Sequence, residues 1–126
     1  MKYLSVLLCV LFVFISIHSI TAQDKGPGTL VFSQNMVAMK DMGRVNKIID
    51  SLTAPIWQEI MNEGMLYGWG QLNHEWGDEW NCNFYYIAKD KEAFFIAWGE
   101  FVKRMGERHP DAWSELIPSF HAHKDN

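Results

Sequence analysis

Two extended runs in the middle of the chain, Met65 to Trp76 and Trp80 to Lys89, carry the residues best suited to hold or transform a small molecule. Along them Gln71, Asn73 and Asn83 supply amides, Tyr85 a phenol and Trp69 a flat indole. A few amides and a phenol among aromatics is the composition of a small-molecule site. Asn73, Asn83 and Tyr85 could polarise a carbonyl or enolate while Trp69 stacks on the ring beside it, although no clear base accompanies them. The same groups can instead satisfy one another, or water, inside a closed interface. The sequence leaves both readings open.

Metal chemistry finds less support, and the metal set is read as none. His74 and Glu75 are neighbours on an extended run, so they point to opposite faces, which breaks up a cluster with Asp78. His74 falls beside Cys82, a pair that gives two of the three or four protein ligands zinc takes; the plainer reading is a packed histidine next to a small buried cysteine. His121 and His123 alternate near the C-terminus and read as a solvated tail, weakly suited to copper, nickel or zinc. There is no Gly-x-Ser-x-Gly elbow, phosphate-binding glycine loop, His-Glu-x-x-His or Cys-x-x-Cys, which argues against hydrolase and nucleotide chemistry.

The elements that must position these groups follow from hydrophobic period. Thr29 to Val37 alternates, with Leu30, Phe32, Gln34 and Met36 on one face, and reads as a strand. Asp41 can cap a helix whose apolar positions run from Val45 to Ile60 and which Gly64 ends. Pro55 predicts a kink, or two helices meeting at Thr53. The two extended runs make a hairpin around Gly77-Asp78-Glu79. A three-residue loop pairs Trp76 with Trp80, His74 with Cys82, Leu72 with Phe84 and Gly70 with Tyr86 on an apolar face, leaving Trp69, Gln71, Asn73, Asn83 and Tyr85 on the other. Asp90 caps a second helix with the stripe Ala93, Phe94, Ala97, Trp98, Phe101, Val102 and Met105, stopped at His109-Pro110. An irregular apolar tail follows, with a short helix at 112–117 and room for one more short strand.

Before all of this stands an export signal. Lys2 precedes an apolar core from Val6 to Ile17, and Ile20-Thr21-Ala22 offers a small residue for cleavage. The run is too short and too interrupted for a membrane span, so residues 1–22 read as a signal peptide, 23–28 as a flexible segment and 29–126 as one α+β domain with no membrane anchor after cleavage. The expected location is secreted or periplasmic. Eleven Lys and Arg stand against fifteen Asp and Glu, and losing Lys2 makes the mature chain more acidic still, which excludes nucleic acid as an obvious partner. Cys9 leaves with the leader and Cys82 remains, so no internal disulfide is available.

The order strand, helix, strand, strand, helix is that of a ferredoxin-like βαββα sandwich. One sheet face covers the helices. The other would expose an apolar patch, which a homodimer would cover. The run Gly64-Met65-Leu66-Tyr67-Gly68-Trp69-Gly70, then His74-Glu75-Trp76-Gly77-Asp78-Glu79-Trp80 and Tyr85-Tyr86, resembles the central hairpin of the dimeric α+β barrel superfamily, closest to NIPSNAP-like and antibiotic-biosynthesis-monooxygenase-like domains. The resemblance spans about Leu30 to Arg108 and rests on loose hydrophobic patterns. It implies two sheets paired into a barrel with a cavity and no fixed reaction. In such a barrel the five-residue face would line the interior. Haem-binding relatives use a helical, inward-facing histidine, and none is evident here; no cofactor is expected. The resulting expectation is an exported homodimer holding a small apolar or aromatic molecule in a dimer cavity. The alternative is a cofactor-independent monooxygenase or isomerase acting on a small aromatic or carbonyl substrate.

Overall fold

The computed structural model describes residues 28–126; the expected signal peptide and most of the flexible segment lie outside them. Within these residues the chain runs β1 (Thr29–Val37), α1 (Met39–Ile48), a π turn (Ile49–Thr53), α2 (Ala54–Asn62), β2 (Gly68–Asn73), β3 (Cys82–Ala88), α3 (Lys91–Arg108), α4 (Ala112–Leu116), a 3₁₀ turn (Ile117–Ser119) and β4 (Phe120–Asp125). The strands form one antiparallel sheet in the order β2-β3-β1-β4, the expected α+β, ferredoxin-like arrangement.

Local chemistry explains most boundaries. The α1 helix begins at Met39, before Asp41, and the acid that meets its first N–H is Asp78 from the distant β2–β3 loop, at 2.9 Å. Pro55 has no N–H to return to the preceding turn, and the chain answers by widening that turn: the Ala54 N–H reaches back to the Ile49 carbonyl, and the Thr53 hydroxyl donates to the same oxygen at 3.0 Å. The expected junction at Thr53 is therefore a π turn. Gly64, at φ +82°, closes α2, with its N–H on the Met61 carbonyl and the Met65 N–H on that of Ile60, the paired bonds of a glycine-terminated helix. Asp90 caps α3 through the Ala93 N–H at 2.8 Å.

Two expectations change. The irregular part of the C-terminal tail is shorter than expected, because the room left for one more short strand is taken by Phe120 to Asp125, which pairs with β1 as the fourth, edge strand. The hairpin register is also one residue away from the expected one. Gly70 faces Tyr85, Gln71 faces Phe84, Leu72 faces Asn83 and Asn73 faces Cys82, while residues 74–81 form a longer loop. The tight turn loses because tertiary bonds pull the loop open. Asn81, fully buried, keeps a main-chain bond from the His74 N–H, while its side chain clamps the main chain of Val37, accepting from its N–H at 2.9 Å and donating to its carbonyl at 2.6 Å. A slip of one residue turns every β2 side chain over, so Leu72 faces outward and is half exposed. Cys82, Phe84 and Tyr86 of β3 keep the inward face expected of them.

Two apolar clusters fill the space under the helices. One gathers Ile56, Trp57, Ile60, Tyr86, Phe94, Phe101 and Met105; the other gathers Val37, Met42, Val45, Ile48, Ile49, Cys82 and Leu116. Arg104 ties α3 to α2 through paired bonds to Glu63 at 2.9 and 2.7 Å and a longer one to Glu59.

Candidate functional site

The five residues singled out on the hairpin do not form one site. Asn83 and Tyr85 lie on the open sheet face, whereas the register places Trp69, Gln71 and Asn73 on the helix side. Gln71 Nε2 donates to Asn46 Oδ1 at 2.9 Å and Asn73 Oδ1 at 2.8 Å, and Asn73 Nδ2 donates to the same Asn46 oxygen at 3.0 Å. These amides satisfy one another against α1. Trp69 packs on the first apolar cluster. Asn83 donates to the Trp80 carbonyl at 2.7 Å, leaving its own oxygen buried without a partner. The Tyr85 ring lies so close over Gly70 that a Cβ there would come within 2.6 Å of it. A mechanism with Asn73, Asn83 and Tyr85 around one substrate is thereby lost, since the sheet stands between them. His74 is likewise not beside Cys82; it sits in the exposed loop, and Asn73 takes its place in the ladder. Among the described residues no group of three or more His, Cys, Asp or Glu is placed to hold a metal.

The concave site lies instead between the sheet and the helices of one protomer. It is a cavity of about 400 Å³. The π turn supplies Ile49 and Thr53 to its wall, so the proline-driven widening of the helix shapes the cavity directly. Trp57 and Phe101 stack at 4.1 Å with an interplanar angle of 9°, and Trp98 and Trp113 tilt against them. Trp98 and Ile117 reach the surface at the cavity's edge. These residues are mainly aromatic and aliphatic, as ligand sites are.

Its polar end comes from the sheet. Asn35 is 5% exposed and donates its amide nitrogen to the Cys82 carbonyl at 3.1 Å. That bond fixes the orientation of the amide, so the oxygen faces His123 and accepts from Nδ1 at 2.9 Å. The other ring nitrogen of His123, Nε2, lies 3.1 Å from Asp125 Oδ2. Tyr86 and Ser33 complete this end. Burial holds the Tyr86 phenol well above its ordinary range, and the nearby Asp125 and Cys82 add to the effect. Burial likewise pushes the Cys82 thiol up to about 11 against a hydrogen bond from Gln71 that lowers it. Both groups are un-ionised at neutral pH, and Cys82 is no nucleophile there.

The sequence reading missed Asn35 and Tyr86 as site residues and set His123 on a solvated tail, whereas it lies on β4 beside Asn35. Strand alternation in Phe120 to Asp125 was the available signal for His123, but pairing across 88 positions with Asn35 is visible only in the fold.

No protein-family model matches the sequence, and no curated protein matches it. Solved structures do. A dimeric ferredoxin-like protein from an uncultured marine organism superposes with a TM-score of 0.64 at 10% identity, over 81% of this chain and 86% of that one. A NIPSNAP family protein with unknown function from Agrobacterium tumefaciens gives 0.63 at 7%, over 79% and 85%. A putative antibiotic biosynthesis monooxygenase from Bacteroides thetaiotaomicron gives 0.52 at 8%, over 79% and 85%. At these identities the likeness is one of fold: the chain has the α+β fold of the dimeric ferredoxin-like and NIPSNAP proteins.

Proposed function

We propose that the protein is an exported homodimer that binds a small, largely apolar or aromatic molecule in the cavity between its sheet and helices. The observation that carries this reading is the cavity itself, about 400 Å³ walled by Trp57, Trp98, Phe101 and Trp113 and finished at one end by polar sheet residues. Such a site is complete within one chain, which moves the binding place from the dimer cavity expected earlier to the interior of each protomer. Export is supported by the leader-like residues 1–22. Dimerisation is supported by the exposed apolar side chains of Leu30, Leu72 and Ile87 on the helix-free sheet face and by the description of solved structures of this fold as dimeric.

The test is calorimetric titration of residues 23–126 with 2-ethylnaphthalene, beside a Ser33→Phe variant whose ring fills the cavity floor. At about 0.5 kcal/mol per heavy atom, the twelve carbons of the probe correspond to a Kd of about 40 µM. Ser33→Phe is expected to weaken binding at least tenfold (about 1.4 kcal/mol) without loss of helical circular dichroism. Equal affinities would place the probe elsewhere and remove the reading.

A second reading, a cofactor-independent monooxygenase or isomerase, draws on one observation: His123 stands at the cavity's polar end, oriented by Asn35 and Asp125, which gives such chemistry a candidate proton carrier that the hairpin residues lack.

A further inference from the structure

Tyr86 presents an anomaly within that cavity. Its side chain is 5% exposed and lines the cavity, and the ring is fixed by Trp57 at 4.7 Å and Phe94 at 5.5 Å between centroids. Yet its hydroxyl has no hydrogen-bond partner among the described residues, and it is not sealed in dry packing as the Asn83 oxygen is. The hydroxyl is open to the cavity and unpartnered there, so it is free to bond whatever enters.

Its surroundings restrict what that is. At the polar end the neighbours are turned toward one another: Asn35 is held by the Cys82 carbonyl and by His123, and His123 lies between Asn35 and Asp125. The hydroxyls of Tyr86 and Ser33 make no such bond. A phenol donates better than it accepts, because its oxygen lone pair is drawn into the ring, and this one keeps its proton at neutral pH. The Asp125 carboxylate lies near enough to oppose negative charge on the Tyr86 oxygen, and it opposes a bound anion at that point for the same reason. We infer that the cavity selects neutral, largely apolar molecules bearing a hydrogen-bond-accepting oxygen, which seats on the Tyr86 hydroxyl. This rests on the binding reading above and adds the chemical class of its ligand.

Three probes of one shape decide it by calorimetry: 2-ethylnaphthalene, 2-acetonaphthone and 2-naphthoate. The ketone is expected to bind about tenfold more tightly than the hydrocarbon, the value of one hydrogen bond made in a dry site, and the carboxylate more weakly than the ketone. In Tyr86→Phe the ketone falls to within about twofold of the hydrocarbon, whose own affinity is unchanged. The carbonyl stretch of bound 2-acetonaphthone gives a second readout in the unaltered protein, shifted to lower frequency by the hydrogen bond. Equal binding of ketone and hydrocarbon, an unshifted carbonyl, a preference that survives in Tyr86→Phe, or a carboxylate that binds best each overturns the inference while leaving the cavity reading in place. Binding of none of the three removes both.

Discussion

Replacing Asn81 by alanine should cost more than any substitution on the surface of the same loop. The Asn81 side chain takes the place of a neighbouring strand for Val37: its Oδ1 accepts from the Val37 N–H at 2.9 Å, its Nδ2 donates to the Val37 carbonyl at 2.6 Å, and a further contact reaches the Gly77 carbonyl at 3.1 Å. Both residues are fully buried. Alanine would leave two main-chain groups of Val37 unpaired away from water, at about 1–3 kcal/mol each, so the total is about 4 kcal/mol. A domain of this size has a stability of about 5–15 kcal/mol, and the loss consumes much of it. The assay is urea unfolding of residues 23–126 followed by tryptophan fluorescence and circular dichroism together. With an m-value of about 1.5 kcal/mol/M, the midpoint should fall by about 2–3 M at unchanged slope. Asn81→Asp retains the acceptor but sets a carboxylate oxygen against the Val37 carbonyl, and should fall at least as far. A midpoint shift worth less than about 1 kcal/mol in both variants would show that Val37 finds other partners, and would refute the account of why the hairpin loop opens.

Alkaline stability should report Cys82. The folded thiol keeps its proton up to about 11, while the unfolded chain releases it near 9, so the unfolded state binds fewer protons in between and stability falls across that window by at most about 2–3 kcal/mol; Cys82→Ala should flatten the slope of urea midpoint against pH between 9 and 11, and an unchanged slope would assign it elsewhere. Gly70→Ala brings a Cβ to within 2.6 Å of the Tyr85 ring. Because those atoms are the far end of a movable side chain, the ring should swing off the open face with a monomer cost of about 1 kcal/mol or less; sedimentation equilibrium should show dimer dissociation at least tenfold easier, and an unaltered dimer would remove Tyr85 from the interface.

Element order, the length of β1, both helix caps at Asp90 and Gly64 and the break at Thr53 were legible in the sequence, because each is set by residues adjacent in the chain: an alternating run, an acid before an apolar stripe, a glycine after one, a proline inside one. The pairing of β2 with β3 was not. Side-chain alternation favours a register only through the pairs it brings together, and the two candidates differ by a single residue. What separates them is Asn81 bonding to Val37 and Asp78 bonding to Met39, contacts 44 and 39 positions apart that no local pattern records. The same slip dispersed the candidate site, sending Trp69, Gln71 and Asn73 to the helix side and leaving Asn83 and Tyr85 on the open face.

The cavity repeats the lesson. Its aromatic wall is drawn from helical stripes that the sequence marks as core, since a tryptophan facing a cavity and one packed solid share the same spacing. Its polar end joins Asn35 of β1, Tyr86 of β3 and His123 of β4, residues on three strands that meet only once the sheet has formed. The sequence by itself determined which segments become strands and helices, because local geometry and hydrophobic period act over a few residues. Tertiary structure decided which of their polar groups would be spent on the fold and which, like the Tyr86 hydroxyl, would be left open to the cavity, because that depends on what long-range pairing places within hydrogen-bond reach.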